Sequence, residues 1–198
     1  MPEAEAHDPQ LVKPLLDAMT ASVLPGESER FEGEAASEAA IFMAATAARR
    51  ATGQPNIAID SFANASGKLS LRIALINDDM PFLVDSVAAA LATAGLEIDR
   101  LIHPVLDVTR DEEGKLTSLS AKRGSTGKRE SFIYIETARV DAKDRNALAE
   151  RLASVLHDVR CAVTDWRKIQ GAMADDADSL PDGEGAALVR WFMDGNMT

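Results

Sequence analysis

Asp78 and Asp79 stand side by side after a long apolar run, and their chemistry has two readings. Adjacent carboxylates offer a hard cation such as magnesium the oxygen ligands it prefers. Equally, carboxylates at the start of a helix accept from its free N–H groups and favour its dipole. His103 precedes Pro104, where an imidazole either lines a ligand pocket or packs as an ordinary residue. Cys161 lies among Val159, Ala162 and Val163, a setting that points to core packing rather than nucleophilic chemistry. Lys122, Arg123, Lys128 and Arg129 cluster in one stretch, and a short charge run reads first as a solvated surface. No serine, histidine and acid set, no cysteine and histidine cluster and no glycine-rich phosphate loop stands out, so no residue is assigned to catalysis or to a metal.

The elements that must position these groups follow from periodicity. Leu69, Leu71, Ile73 and Leu75 alternate with Ile76 beside them, which predicts a buried strand ending at Asn77. Pro81 suits a first helical turn, and Leu83, Val87, Leu91 and Ala94 make a helical stripe down to Gly95. Upstream, residues 1–10 are acidic and expected to be loose. Leu11, Leu15, Met19 and Val23 mark a helix from about Asp8, and an alanine-rich helix runs from about Ser28 to Arg50 before Thr52-Gly53-Gln54-Pro55 breaks it. These two helices have thin stripes and need the later domain or a partner to pack on. Residues 56–62 read as an edge strand, and Leu96 to Thr109 as a long strand bent at His103-Pro104, since proline gives no N–H to a ladder. Arg110 to Arg129 is then either an extended hairpin or an irregular excursion. Ser131 to Ala138 is a strand with Ile133 and Ile135 on one face and Phe132 and Tyr134 on the other. Helices are predicted over 141–159 and 161–173, then an acidic linker over 175–183 and a last amphipathic piece with Leu188, Trp191 and Phe192.

The central order of strand, helix, strand, strand, helix suits an α+β fold: a ferredoxin-like (ACT-type) antiparallel sheet with helices on one face, preceded by two N-terminal helices. Its fourth strand comes either from residues 160–164 or from 56–62. The expected division is a helical region over 1–55, an α+β domain over 56–174, and an acidic linker with the start of a further segment over 175–198. The 198 residues, 46% of them hydrophobic, suffice for a real core. A net charge of -11 argues against nucleic acid and anionic membranes as partners. One cysteine excludes an internal disulfide and fits the cytoplasm, and the Met-Pro-Glu-Ala-Glu start lacks the features of a signal peptide.

Two families share features with this pattern. The acidic pair before a helix resembles a phosphorylation receiver, but that fold needs an aspartate about forty residues on, and residues 118–126 read Ser-Leu-Ser-Ala-Lys-Arg-Gly-Ser-Thr. The fuller resemblance is to the N-terminal region of the large bacterial NAD-specific glutamate dehydrogenases. It is carried by Asn77-Asp78-Asp79-Met80-Pro81-Phe82-Leu83-Val84-Asp85-Ser86-Val87, His103-Pro104-Val105, Glu130-Ser131-Phe132-Ile133-Tyr134-Ile135-Glu136 and Val163-Thr164-Asp165-Trp166. Ala48-Arg49-Arg50-Ala51-Thr52-Gly53-Gln54-Pro55 and Leu188-Val189-Arg190-Trp191-Phe192 fit in the same order.

That resemblance implies a non-catalytic ACT-like segment of a longer enzyme that deaminates L-glutamate to 2-oxoglutarate and ammonia. It implies no cofactor here and NAD in the parent. The implied partners are downstream catalytic domains of the same chain, further copies in a homo-oligomer, and a small amino-acid effector. ACT modules place an aspartate, a proline and a glycine at the turn before the first helix. Asp79 and Pro81 match, while Phe82 takes the place of the glycine. The expected effector site is Asn77, Asp78, Asp79, Met80 and His103. The alternative is a ligand-free assembly module docking through Phe132, Tyr134, Trp191 and Phe192.

Overall fold

The computed structural model describes residues 9–23, 31–63, 67, 69–122, 124, 127–181 and 183–196. The expected start of the second helix at Ser28, most of residues 1–10 and Arg123 of the basic stretch lie outside them.

Residues 1–156 form one compact unit. Among the described residues six strands make one antiparallel sheet: β1 (Asn56–Ala63), β2 (Leu69–Asp78), β3 (Ile98–Ile102), β4 (Val105–Arg110), β5 (Leu116–Ser120) and β6 (Lys128–Ala138). The order is β1-β2-β6-β4-β5, and β3 also pairs with β6. β2 and β6 hold the centre because both of their faces are apolar, as a doubly covered strand requires. The long bent strand expected over 96–109 is β3 and β4, which lie end to end along β6 and break at His103-Pro104. The fourth strand of the ferredoxin-like unit is β1, at the edge beside β2, while residues 160–164 are helical. The stretch after Arg110 is a hairpin in which β5 folds back on β4.

Strand parity sorts the core into two layers. Ala74, Ile76, Phe132, Tyr134, Ile102 and Leu106 face one way and are buried with Leu15 and Met19 of α1 (Pro9–Ala21) and the alanines of α2 (Gly33–Ala47). Alanine lets α2 lie close to the sheet, and Arg72 of β2 stacks its guanidinium 4.6 Å above the Phe42 ring of that helix. Leu71, Ile73, Leu75, Ile133 and Ile135 face the other way and are fully buried. Their cover is the apolar stripe of α3 (Leu83–Thr93), with Val87 and Leu91, and the first turns of α4 (Ala142–Ser179), with Leu148 and Leu152. Arg145 of α4 donates to Ser61 of β1 at 2.7 Å, which fixes α4 to this face. Each such aliphatic side chain contributes roughly 1.5–3 kcal/mol by leaving water.

Residues 157–198 form the second unit. The helices expected over 141–159 and 161–173, and the first part of the linker expected over 175–183, are instead a single 38-residue helix that runs to Ser179. Nothing near residue 160 breaks a helix, and aspartates at 175, 176 and 178 do not prevent one. Cys161, expected to pack in the core, is exposed, with its sulfur 3.5 Å from His157 Nε2 one turn earlier. α5 (Glu184–Trp191) follows, and Arg190 reaches back to Asp178 at 3.3 Å. Phe132 and Tyr134 are 0% and 1% exposed, so they cannot dock a partner as expected; Trp191, 51% exposed, can.

Candidate functional site

The two aspartates of the acidic turn separate onto opposite faces of the sheet, because successive residues of a strand point opposite ways. Asp78 is the last residue of β2 and pairs across with Glu130 on the face covered by α1 and α2. Asp79 follows, donating its N–H to the Arg129 carbonyl at 3.0 Å and accepting from Ser131 Oγ at 2.9 Å on the α3 face. Carboxylates so divided cannot chelate one cation, which removes the magnesium reading.

On the first face the arrangement is an ion network. Arg50, just beyond α2, is 3% exposed and donates to Asp78 at 2.5 Å and to Glu130 at 2.6 Å. Arg110 holds both Glu130 oxygens, donating from Nε to Oε1 at 2.9 Å and from Nη2 to Oε2 at 2.8 Å, and its Nη1 donates to the carbonyls of Ala47 and Gly114. Burial works against charge on both sides of this network, but the hydrogen bonds win. Glu130 is held below the usual carboxylate range by Arg110 and Arg50, and Arg50 is held above its usual value by Glu130 and Asp78. The network ties the end of α2 to β2, β4 and β6. The backbone repeats the tie: Arg50 N–H donates to the Gly114 carbonyl and Leu116 N–H to that of Ala48. A polar cleft of about 460 Å³ opens over this network, lined by Thr52, Asp78, Lys128 and Glu130 among others.

The second face carries the groups that remain accessible. Asp79 is exposed, Met80 is half-buried in the turn, and Asn77, 1% exposed, lies beneath, paired across the strands with Ser131. His103 sits at the break between β3 and β4. Its Nε2 is buried without a hydrogen-bond partner. Burial pushes its pKa down, against the attraction of Asp79. Of the five expected residues, the fold therefore gathers Asn77, Asp79 and His103 on one face, keeps Met80 at its margin, and sends Asp78 away.

Neither aspartate caps α3, which corrects the capping reading. The cap position is Phe82, with φ +70°, 65% exposed and making no side-chain cap bond. This left-handed conformation is one glycine adopts freely and an L side chain resists. The backbone thus keeps the shape of a glycine turn although the residue is phenylalanine.

Ser131, Glu130, Arg50 and Arg110 were missed as site residues. A signal existed for Glu130: it shares strand parity with Phe132 and Tyr134, and a charge on a buried face demands a partner. No local pattern names that partner as Arg50, eighty residues away.

Comparison with known proteins adds the lineage. The family model described as "Glutamate dehydrogenase, ACT1 domain" matches residues 15–152. An NAD-specific glutamate dehydrogenase of Halomonas elongata is 29% identical over 140 residues, covering 64% of this chain and 9% of that protein. Another NAD-specific glutamate dehydrogenase, from Pseudomonas aeruginosa, is 36% identical over 102 residues, covering 50% of this chain and 6% of that protein. The chain spans less than a tenth of the length of either curated relative.

Proposed function

This chain belongs to the glutamate dehydrogenase ACT1 domain family, and on that premise we propose that it is a non-catalytic regulatory module of an NAD-dependent enzyme deaminating L-glutamate to 2-oxoglutarate and ammonia. The effector is a small amino acid, and it meets the acidic turn on the α3 face. The observation that carries this reading is the convergence of exposed Asp79, Ser131 and the unpartnered His103 Nε2 at the start of α3. Asp79 offers an acceptor to an ammonium group, His103 Nε2 offers a polar atom in need of a partner, and the first N–H groups of α3 suit a carboxylate. The homo-oligomer and the downstream catalytic domains are its partners in this reading. NAD is assigned to the parent enzyme: the turn from β2 to α3 reads Asp79-Met80-Pro81-Phe82, with carboxylate and bulk where a dinucleotide turn needs bare glycine backbone.

Thermal unfolding against a panel of amino acids, 2-oxoglutarate, NAD and magnesium tests the site. A ligand at a hundred times its Kd adds about 2.7 kcal/mol to the unit that binds it. The expected result is a shift with one amino acid that Asp79→Asn and His103→Phe abolish. No shift with any compound sinks the effector reading. It leaves the assembly module, which the exposed Leu188 and Trp191 favour.

A further inference from the structure

α3 and α4 cover the same face of the sheet, and at one end the seam between them stands open. α3 stops where Gly95, at φ +73°, lets Leu96 donate its N–H back to the Leu91 carbonyl at 3.0 Å and turn off the helix axis. α4 starts at Ala142, after the turn through Arg139 and Val140. Ala94 at the end of α3 and Ala147 on α4 line the gap, and side chains that small leave a cavity of about 550 Å³. Its apolar wall is Leu96, Val140 and Leu148, the last 5% exposed. Arg139 and Arg151 line it too. Arg49, Arg72, Arg100 and Arg190 each hold an acidic partner. Arg139 and Arg151 make no hydrogen bond or ion pair among the described residues, although Asp141 and Asp144 share the cavity. Those carboxylates stand at the start of α4, where the helix dipole favours them. The eleven residues of α3 separate this cavity from the acidic turn, roughly 16 Å at 1.5 Å per residue.

We propose that this cavity is a binding site for a short-chain monocarboxylate, an acid with one charged head and an apolar stem. The two arginines take the head. Each guanidinium is planar, permanently charged and carries a fork of donors that matches a carboxylate, and neither is engaged elsewhere. Leu96, Val140 and Leu148 take the stem, which gains by leaving water. Asp141 and Asp144 limit the charge the site accepts. A second carboxylate or a phosphate dianion would meet them within the same cavity, so a diacid is rejected relative to the monoacid of equal length. A ligand seated there touches both helices and ties the end of α3 to the start of α4.

The test is an NMR titration of the isotope-labelled 198-residue chain with butanoate, pentanoate, hexanoate, pentanedioate and hexan-1-ol at constant ionic strength. We expect amide shifts to move at Ala94, Leu96 and Val140, and affinity to rise about fourfold per methylene from butanoate to hexanoate. Pentanedioate should bind more weakly than pentanoate, and hexan-1-ol more weakly than hexanoate. Arg139→Gln and Arg151→Gln should each weaken hexanoate about tenfold. Ala147→Leu fills the cavity from an exposed helix position and should abolish binding, with thermal unfolding checking that the variant folds. The absence of binding by any of the acids overturns the proposal. So do equal affinities along the series, a diacid or alcohol that binds as tightly as its monoacid, and hexanoate binding that survives Ala147→Leu. Asp79→Asn and His103→Phe should leave hexanoate binding unchanged, so this site and the effector reading fail separately.

Discussion

Glu130 is the residue on which most of the buried charge depends. It is 1% exposed and receives two guanidinium groups, so Glu130→Gln leaves Arg50 and Arg110 partly uncompensated in the interior. The expected cost is about 3–5 kcal/mol, read from urea unfolding. Phe82 makes the opposite case. Its left-handed backbone costs an L residue roughly 1–2 kcal/mol, and the exposed ring returns little, so Phe82→Gly should stabilise by about 0.5–1 kcal/mol after the entropy glycine adds to the unfolded chain. Gly114 shares the conformation, at φ +79°, but there a Cβ would stand 2.3 Å from the Arg50 carbonyl oxygen. Gly114→Ala should therefore cost more than 2 kcal/mol by the same unfolding measurement, about the strain alone, and loosen the hairpin from α2.

At the scale of elements, α4 is where reading and structure part most. A stripe of Leu148, Leu152, Val155, Leu156 and Val159 announces the first turns and a second helix is announced over 161–173, but neither their continuity nor the run on to Ser179 is, because the later turns face water and owe their helicity to propensity rather than to a buried stripe. Gly171 sits in that exposed stretch with open space around it, so Gly171→Ala should raise amide protection between residues 165 and 178 by about 0.5–1 kcal/mol in hydrogen exchange. The sheet was far more legible. Period-two alternation around Ile73 and Ile133 located its two central strands, and Pro104 located the break between β3 and β4. The turn at Asp78 and Asp79 was found but misassigned, since the sequence shows two carboxylates and not which face each one takes. The Arg50 partnership is a tertiary contact spanning eighty residues, and no local periodicity encodes it.

For the whole molecule, acid is the sensitive direction. Glu130 in the folded chain sits below its ordinary value near 4.5, so its contribution is present above that pH and is lost as pH falls through the folded value. His103 is also lowered, from 6.5, by burial, so folding opposes its protonation and stability begins to fall once pH drops below about 6.5. Urea midpoints should be flat above neutrality and decline in two stages toward acid. Glu130→Gln should erase the lower stage and His103→Phe the upper one. A last consequence lies in the divided turn. Asp78 and Asp79 are the same amino acid, neighbours on one chain, yet an odd or even position along β2 addresses each to a different compartment. A double alanine variant would report a weakened ion network and an altered α3 face in one number. Removing one residue between Leu69 and Asn77, with register otherwise kept, would exchange the tenants: Asp79 would inherit Arg50, and Met80 would stand where a carboxylate now meets Ser131.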